Sequence, residues 1–144
     1  VTPTLNRPVA GGPVQDVPPL PRSVPEPAIE LTATCLPPVA LDALRAALAA
    51  EGFRPRPTTD PRRVEGCRTS WADLLSLAPP ARTVVAGTVS PTTAGCTVRI
   101  DHPTWALGSP RDRSTRVVAR TVERLRTTGV GVTVGTWTDG RSPR

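Results

Sequence analysis

The sequence predicts one small two-layer α+β domain of ferredoxin-like, split-βαβ order (βαββαβ), carried behind a disordered, proline-rich N-terminal tail. Three observations predict it. Residues 29–35 alternate between apolar and polar side chains, the period of a half-buried strand. Two segments, around Leu41–Leu48 and Val118–Leu125, carry apolar residues at helical spacing. Between them lie two β-branched runs separated by turn residues, the pattern of a hairpin.

The tail is expected over residues 1–28, which hold eight of the 19 prolines. Proline fixes φ and removes a backbone donor, so such a run favours polyproline II or coil. Within it, Pro18-Pro19-Leu20-Pro21-Arg22 has the form of a polyproline ligand, although a solvated linker is the commoner use of such a segment. The domain is expected over 29–140, enough chain for one core, with 141–144 as a short C-terminal tail.

The first strand places Ile29, Leu31, Ala33 and Cys35 on one side and Glu30, Thr32 and Thr34 on the other. Pro37-Pro38 then opens a helix that runs through Glu51, with Leu41, Leu44 and Leu48 as its buried stripe. Gly52 falls where a helix is terminated in the left-handed conformation, and Phe53 can fold back onto Leu48. Residues 53–80 read as an inserted loop, with an extended piece at 53–58 that could add a fifth strand. Inside the insertion, Ser70 followed by Asp73 marks a brief helix at 71–78, stopped by Pro79-Pro80.

The hairpin joins Thr83–Val89 to Cys96–Asp101 across the turn residues 90–95. Ser109, Pro110 and Asp112 then start a helix with the strongest capping signal in the chain; it ends at Gly129, and Val118, Val122 and Leu125 mark its inner face. Val130 to Trp137 is the last strand. The two longer helices are expected to cover one face of a four-stranded antiparallel sheet. With one Phe, no Tyr and no Met, the core must be mainly aliphatic, and much of its aromatic area falls to Phe53, Trp71, Trp105 and Trp137.

Charge is unevenly placed. All 18 basic residues are Arg, against 12 acids, for a net charge of +6. Residues 1–28 are neutral, 29–108 carry +1, and 109–144 carry eight Arg and three acids, or +5. On the second helix Arg113, Arg116, Arg120 and Arg124 are spaced to share one face. Such a face can neutralise phosphates, which makes these four the candidate anion or nucleic-acid site. A solvated face is commoner, here with Asp112 available to Arg116 and Glu123 beside Arg120 and Arg126. The polar sides of the first strand and of the strand at 96–101 carry no aromatic residue, which argues against base stacking on the sheet and leaves Trp137 as the one candidate platform.

Cys35, Cys67, Cys96 and His102 have the ligand count of a structural zinc site but lack any closely spaced pair, so buried free thiols are expected and no metal. Cys96 and His102 bracket one strand and would stand about 20 Å apart when extended, too far for a nucleophile and its base. Cys35 or Cys67 could still approach His102 in space. The G-x-S-x-G elbow and the phosphate-binding Walker loop are both absent, and Gly129, Gly131 and Gly135 follow a helix in the wrong order for a dinucleotide fingerprint. No catalytic residue and no cofactor is therefore expected.

The sequence holds no apolar stretch of the ~18 residues a membrane span needs. No signal segment opens it, so a cytoplasmic location is expected, with export after signal removal as the alternative. The function expected is that of a non-enzymatic accessory or protein-interaction domain with an unidentified protein partner. The alternatives are binding of nucleic acid or another polyanion through the Arg-lined helix, and an enzyme centred on a cysteine.

Overall fold

The computed structural model describes residues 17–21, 26–69, 82–102 and 111–140. The first strand, β1 (Pro27–Ala33), leads into α1 (Pro37–Ala50), then β2 (Arg54–Arg56), β3 (Arg63–Thr69), β4 (Arg82–Thr92) and β5 (Gly95–Asp101). Helix α2 (Arg111–Thr127), β6 (Val132–Val134) and β7 (Thr138–Asp139) complete the described elements. One seven-stranded sheet runs in the order β2-β3-β4-β5-β1-β6, with β7 also paired to β1, and every pairing is antiparallel.

The expected strand alternation puts one side of β1, β4 and β5 into a common core. Ile29, Leu31 and Ala33 of β1 face the same side as Val85 and Val89 of β4 and Cys96, Val98 and Ile100 of β5. On that side they join Leu41, Leu44 and Leu48 of α1 and Val117, Val118, Val122 and Leu125 of α2 in one core. Phe53 is buried in it and Trp137 packs against it; Trp71 and Trp105 lie outside the described residues.

Both helices stop by the same device. Gly52 sits at φ 84° and Gly129 at φ 87°. Phe53 N donates to Leu48 O at 3.0 Å, and Val130 N donates to Leu125 O at 3.0 Å. Gly52 N and Gly129 N donate one turn back, to Ala49 O and Arg126 O, so both termini are Schellman motifs. A Cβ on Gly129 would meet no atom within 4 Å, so its substitution isolates the backbone effect. Gly129→Ala is expected to lower the free energy of unfolding by about 1 kcal/mol in a urea titration, the cost of a left-handed alanine.

The segment read as an inserted loop is a sheet element instead. Residues 54–56 and 63–69 form β2 and β3, with Arg54 opposite Cys67 and Val64 opposite Gly87. The strand was hard to see because its core-facing positions are Val64 and Gly66. Gly66 carries no side chain, and a Cβ there would lie 2.9 Å from Phe53 Cβ. The apolar cover over β3 therefore comes from Phe53 and Leu48, not from β3 itself. The extended piece at 53–58 does join the sheet, as the edge strand β2. The expected helix at 71–78 and the Ser109-Pro110 start of α2 lie outside the described residues.

The hairpin turn is tighter than expected. Thr92 pairs with Gly95, leaving Thr93 and Ala94 as the loop, and β4 continues through Pro91. Pro91 is tolerated because its missing donor would point, like that of Val89, toward β3, whose pairing with β4 ends at Thr88.

The last strand is broken. Leu31 pairs with Val134, whereas Ala28 pairs with Thr138, so three steps along β1 match four along the partner. One extra residue is accommodated between β6 and β7, a bulge that restarts the alternation at Thr138. Trp137 sits at this bulge and donates from Nε1 to Pro18 O at 2.8 Å. Val17 is buried in the same core. The domain thus draws in part of the expected tail, with β1 beginning at Pro27 and residues 17–21 lying against the bulge.

Candidate functional site

Three of the four arginines singled out on α2, Arg113, Arg116 and Arg120, reach Glu51 of α1. Glu51, the residue at the C-terminal cap of α1, is a buried acid with only 5% of its surface exposed. Its carboxylate accepts from Arg116 Nε at 2.9 Å on Oε1 and from Arg120 Nε at 2.6 Å on Oε2. Arg113 Nη1 stands at 3.4 Å from both Oε1 and the Glu51 carbonyl oxygen. The i, i+3, i+7 spacing that aligns Arg113, Arg116 and Arg120 along α2 is what lets one carboxylate serve all three.

Burial of Glu51 raises its pKa and is the largest single influence. The hydrogen bonds from Arg120 and Arg116, together with their charges, outweigh it and leave the carboxyl below its ordinary value. The group is therefore ionised at neutral pH, and three guanidinium charges face one carboxylate.

The arginines are held unequally. The Arg113 side chain is 28% exposed, those of Arg116 and Arg120 52% and 49%. Arg116 and Arg120 each donate to Glu51 through Nε while remaining about half exposed. Arg124 is exposed, and no carboxylate among the described residues forms a salt bridge with it. Arg126 turns away and donates to Val132 O at 2.9 Å, tying α2 to β6. The expected partner of Arg116, Asp112, has a side chain outside those described, and Glu123 is exposed. Sequence reasoning missed Glu51 because its pairing to α2 spans 65 and 69 residues and nothing local marks it.

On the opposite face of the sheet a second charged network runs across β3, β4 and β5. Arg63 donates from Nε to Glu65 at 2.8 Å and from Nη1 to Thr88 Oγ1 at 2.9 Å, and its Nη2 lies 3.6 Å from Asp101. Arg99 reaches Asp101 at 3.5 Å. Burial pushes the Asp101 carboxyl above its ordinary value, against the pull of Arg63 and Arg99. This side of the sheet carries the ion pairs, the buried Ala28, Val84 and Ala86 and, across Thr32, Thr97 and Ser90, short polar side chains; no aromatic residue lies among the described positions there.

The remaining candidates separate in space. His102 is buried, and its Nε2 lies 2.6 Å from Ser114 Oγ, itself 1% exposed. This pair joins the end of β5 to the first turns of α2. No cysteine takes the imidazole Nε2 position that Ser114 occupies. Cys35 and Cys96 approach one another, Sγ to Sγ 3.9 Å, and Cys67 lies on the opposite side of the sheet from Cys96. Among the described residues no three His, Cys, Asp or Glu side chains converge on a point that could hold a metal. No described helix is long and apolar enough to cross a membrane.

Compared with known proteins, the chain matches no family model and no curated protein.

Proposed function

We propose that this chain is a non-enzymatic interaction domain that holds a protein partner with an acidic surface through the exposed arginine face of α2. One observation carries the reading: Glu51 fixes Arg116 and Arg120 by their Nε atoms while half of each side chain stays exposed. Guanidinium groups already held in place lose less conformational freedom on meeting a carboxylate, and their planar forks suit bidentate contacts. Arg124 extends the same face by one turn.

A second reading, binding of nucleic acid or another polyanion to the same face, is favoured by the concentration of +5 net charge in residues 109–144. The two readings part in a titration of the full chain against a poly-glutamate peptide and against duplex DNA, followed by fluorescence anisotropy. The first reading expects the tighter complex with the acidic peptide; tighter binding of DNA would transfer the site to the second. If three phosphates are contacted, DNA affinity falls with a log–log salt slope of about −2.7, roughly forty-fold between 50 and 200 mM. Arg124→Glu, which leaves the Glu51 clamp intact, weakens whichever complex forms. If neither probe binds at 50 mM salt, the face is not a binding surface.

The element order supports a ferredoxin-like assignment of the fold. β1, α1, β4, β5, α2 and β6 follow the split-βαβ sequence, with sheet order β4-β5-β1-β6, and β2–β3 are then a hairpin added at the β4 edge. A cytoplasmic location goes with this reading.

A further inference from the structure

We propose that Cys35 and Cys96 form a redox-active pair, a modification site that closes to an intramolecular disulfide when it meets a small-molecule disulfide. The proposal is independent of the binding surface on α2.

The fold places the two sulfurs together. Cys96 pairs with Ala33 across the β1–β5 ladder, and Cys35 lies in the bend two residues beyond the end of β1, packed against the same core. Their Sγ atoms are 3.9 Å apart. Bond formation needs about 2.05 Å between the sulfurs. The surrounding backbone is held. Thr34 N donates to Gly131 O at 3.0 Å, and Gly131 N donates to Thr34 Oγ1 at 2.9 Å. Gly95 permits the close approach on the other side, because a Cβ there would collide with Ala33 O.

The two thiols are unequal, which sets the order of events. Cys35 is partly exposed and Cys96 is buried. Burial, and then the neighbouring Cys35, push the Cys96 thiol up to about 11. The accessible Cys35 therefore reacts first. Its thiolate attacks the small disulfide RSSR, giving a Cys35–S–SR mixed disulfide and releasing RS⁻. Cys96 then loses its proton and attacks the Cys35 sulfur; the Cys35–Cys96 bond forms and the second RS⁻ leaves. The cysteine pair gives up two electrons and two protons, and RSSR becomes two RSH. Once Cys35 is in the mixed disulfide its thiolate charge no longer opposes ionisation of Cys96, so the second step meets a smaller barrier than the resting dithiol would suggest.

The test uses the full reduced chain, equilibrated with oxidised glutathione at pH 8.5, then denatured, alkylated and mapped without reduction. The expected result is one free thiol, Cys67, and a linked peptide pair containing Cys35 and Cys96, reversed by dithiothreitol. Cys67→Ser forms the same link, and Cys35→Ser abolishes it. Closing a loop of this length raises the unfolding midpoint of the oxidised chain on the order of 10 °C above that of the reduced chain. Three free thiols, glutathione retained on Cys35 without a Cys35–Cys96 link, or a bond that involves Cys67 would each overturn the proposal.

Discussion

Replacing Glu51 with glutamine is expected to lower the free energy of unfolding by about 2 kcal/mol at pH 7. The carboxylate is buried and accepts from two guanidinium groups, with a third at 3.4 Å. Glutamine keeps the shape but removes the charge, and its amide group presents donors to donors. The figure sits below the range for breaking a fully buried pair because Arg116 and Arg120 can turn to water. Urea titration should show a lower midpoint with an unchanged slope. Acid provides the second readout. Because the folded carboxyl is held below its ordinary value of 4.5, its contribution is fully present above that value. It is lost as pH falls through the folded pKa. Wild type and Glu51→Gln should therefore converge in stability as the solution is acidified below about pH 4. A constant gap down to pH 2 would mean that the clamp contributes nothing through charge. The same change at the exposed Glu123 should cost less than about 0.5 kcal/mol.

The second large effect is expected where α1 crosses the sheet. Gly87, buried in the middle of β4, faces Leu44, and a Cβ built on it would overlap the Leu44 side chain. Leu44 is itself completely buried. Leu44→Ala is expected to cost about 3 kcal/mol, the transfer of the side chain plus the cavity left behind. Gly87→Ala should cost about 2 kcal/mol by overpacking. The double variant should be better than the sum of the two by at least about 1 kcal/mol, because the new methyl enters the space that Leu44 vacates. Strict additivity in a double-mutant cycle would show that the two residues do not press on each other.

These two sites differ in how far they were legible. Leu44 stood on a helical stripe with Leu41 and Leu48, and its burial was readable from spacing alone. Gly87 sat inside a β-branched run and gave no sign that it faces a helix. Glu51 read only as the last polar residue of a helix. Its role depends on α2 arriving alongside, and no local pattern encodes that approach. The arginines were recognised as one face, because i, i+4 spacing is a property of the helix itself, but the question of what they face was a tertiary one. Strand β3 went unread for a related reason. Strand recognition relies on alternating apolar side chains, and β3 uses a glycine where Phe53 from the preceding turn fills the space.

What the sequence determined by itself is everything governed by neighbours within a few residues. That covers both helices and their glycine stops, the β1 alternation, the β4–β5 hairpin and the concentration of charge near the C-terminus. These follow from dihedral preference, helical period and composition, all of which act locally. Only the tertiary structure decided that Glu51 neutralises part of the arginine face, that Cys35 and Cys96 meet, that residues 54–69 widen the sheet, and that Val17 is buried. Each of these depends on contacts between segments distant along the chain. Such contacts form when packing brings whole elements together, and the energy that selects them resides in the assembled core and its buried charges, not in any one stretch of sequence.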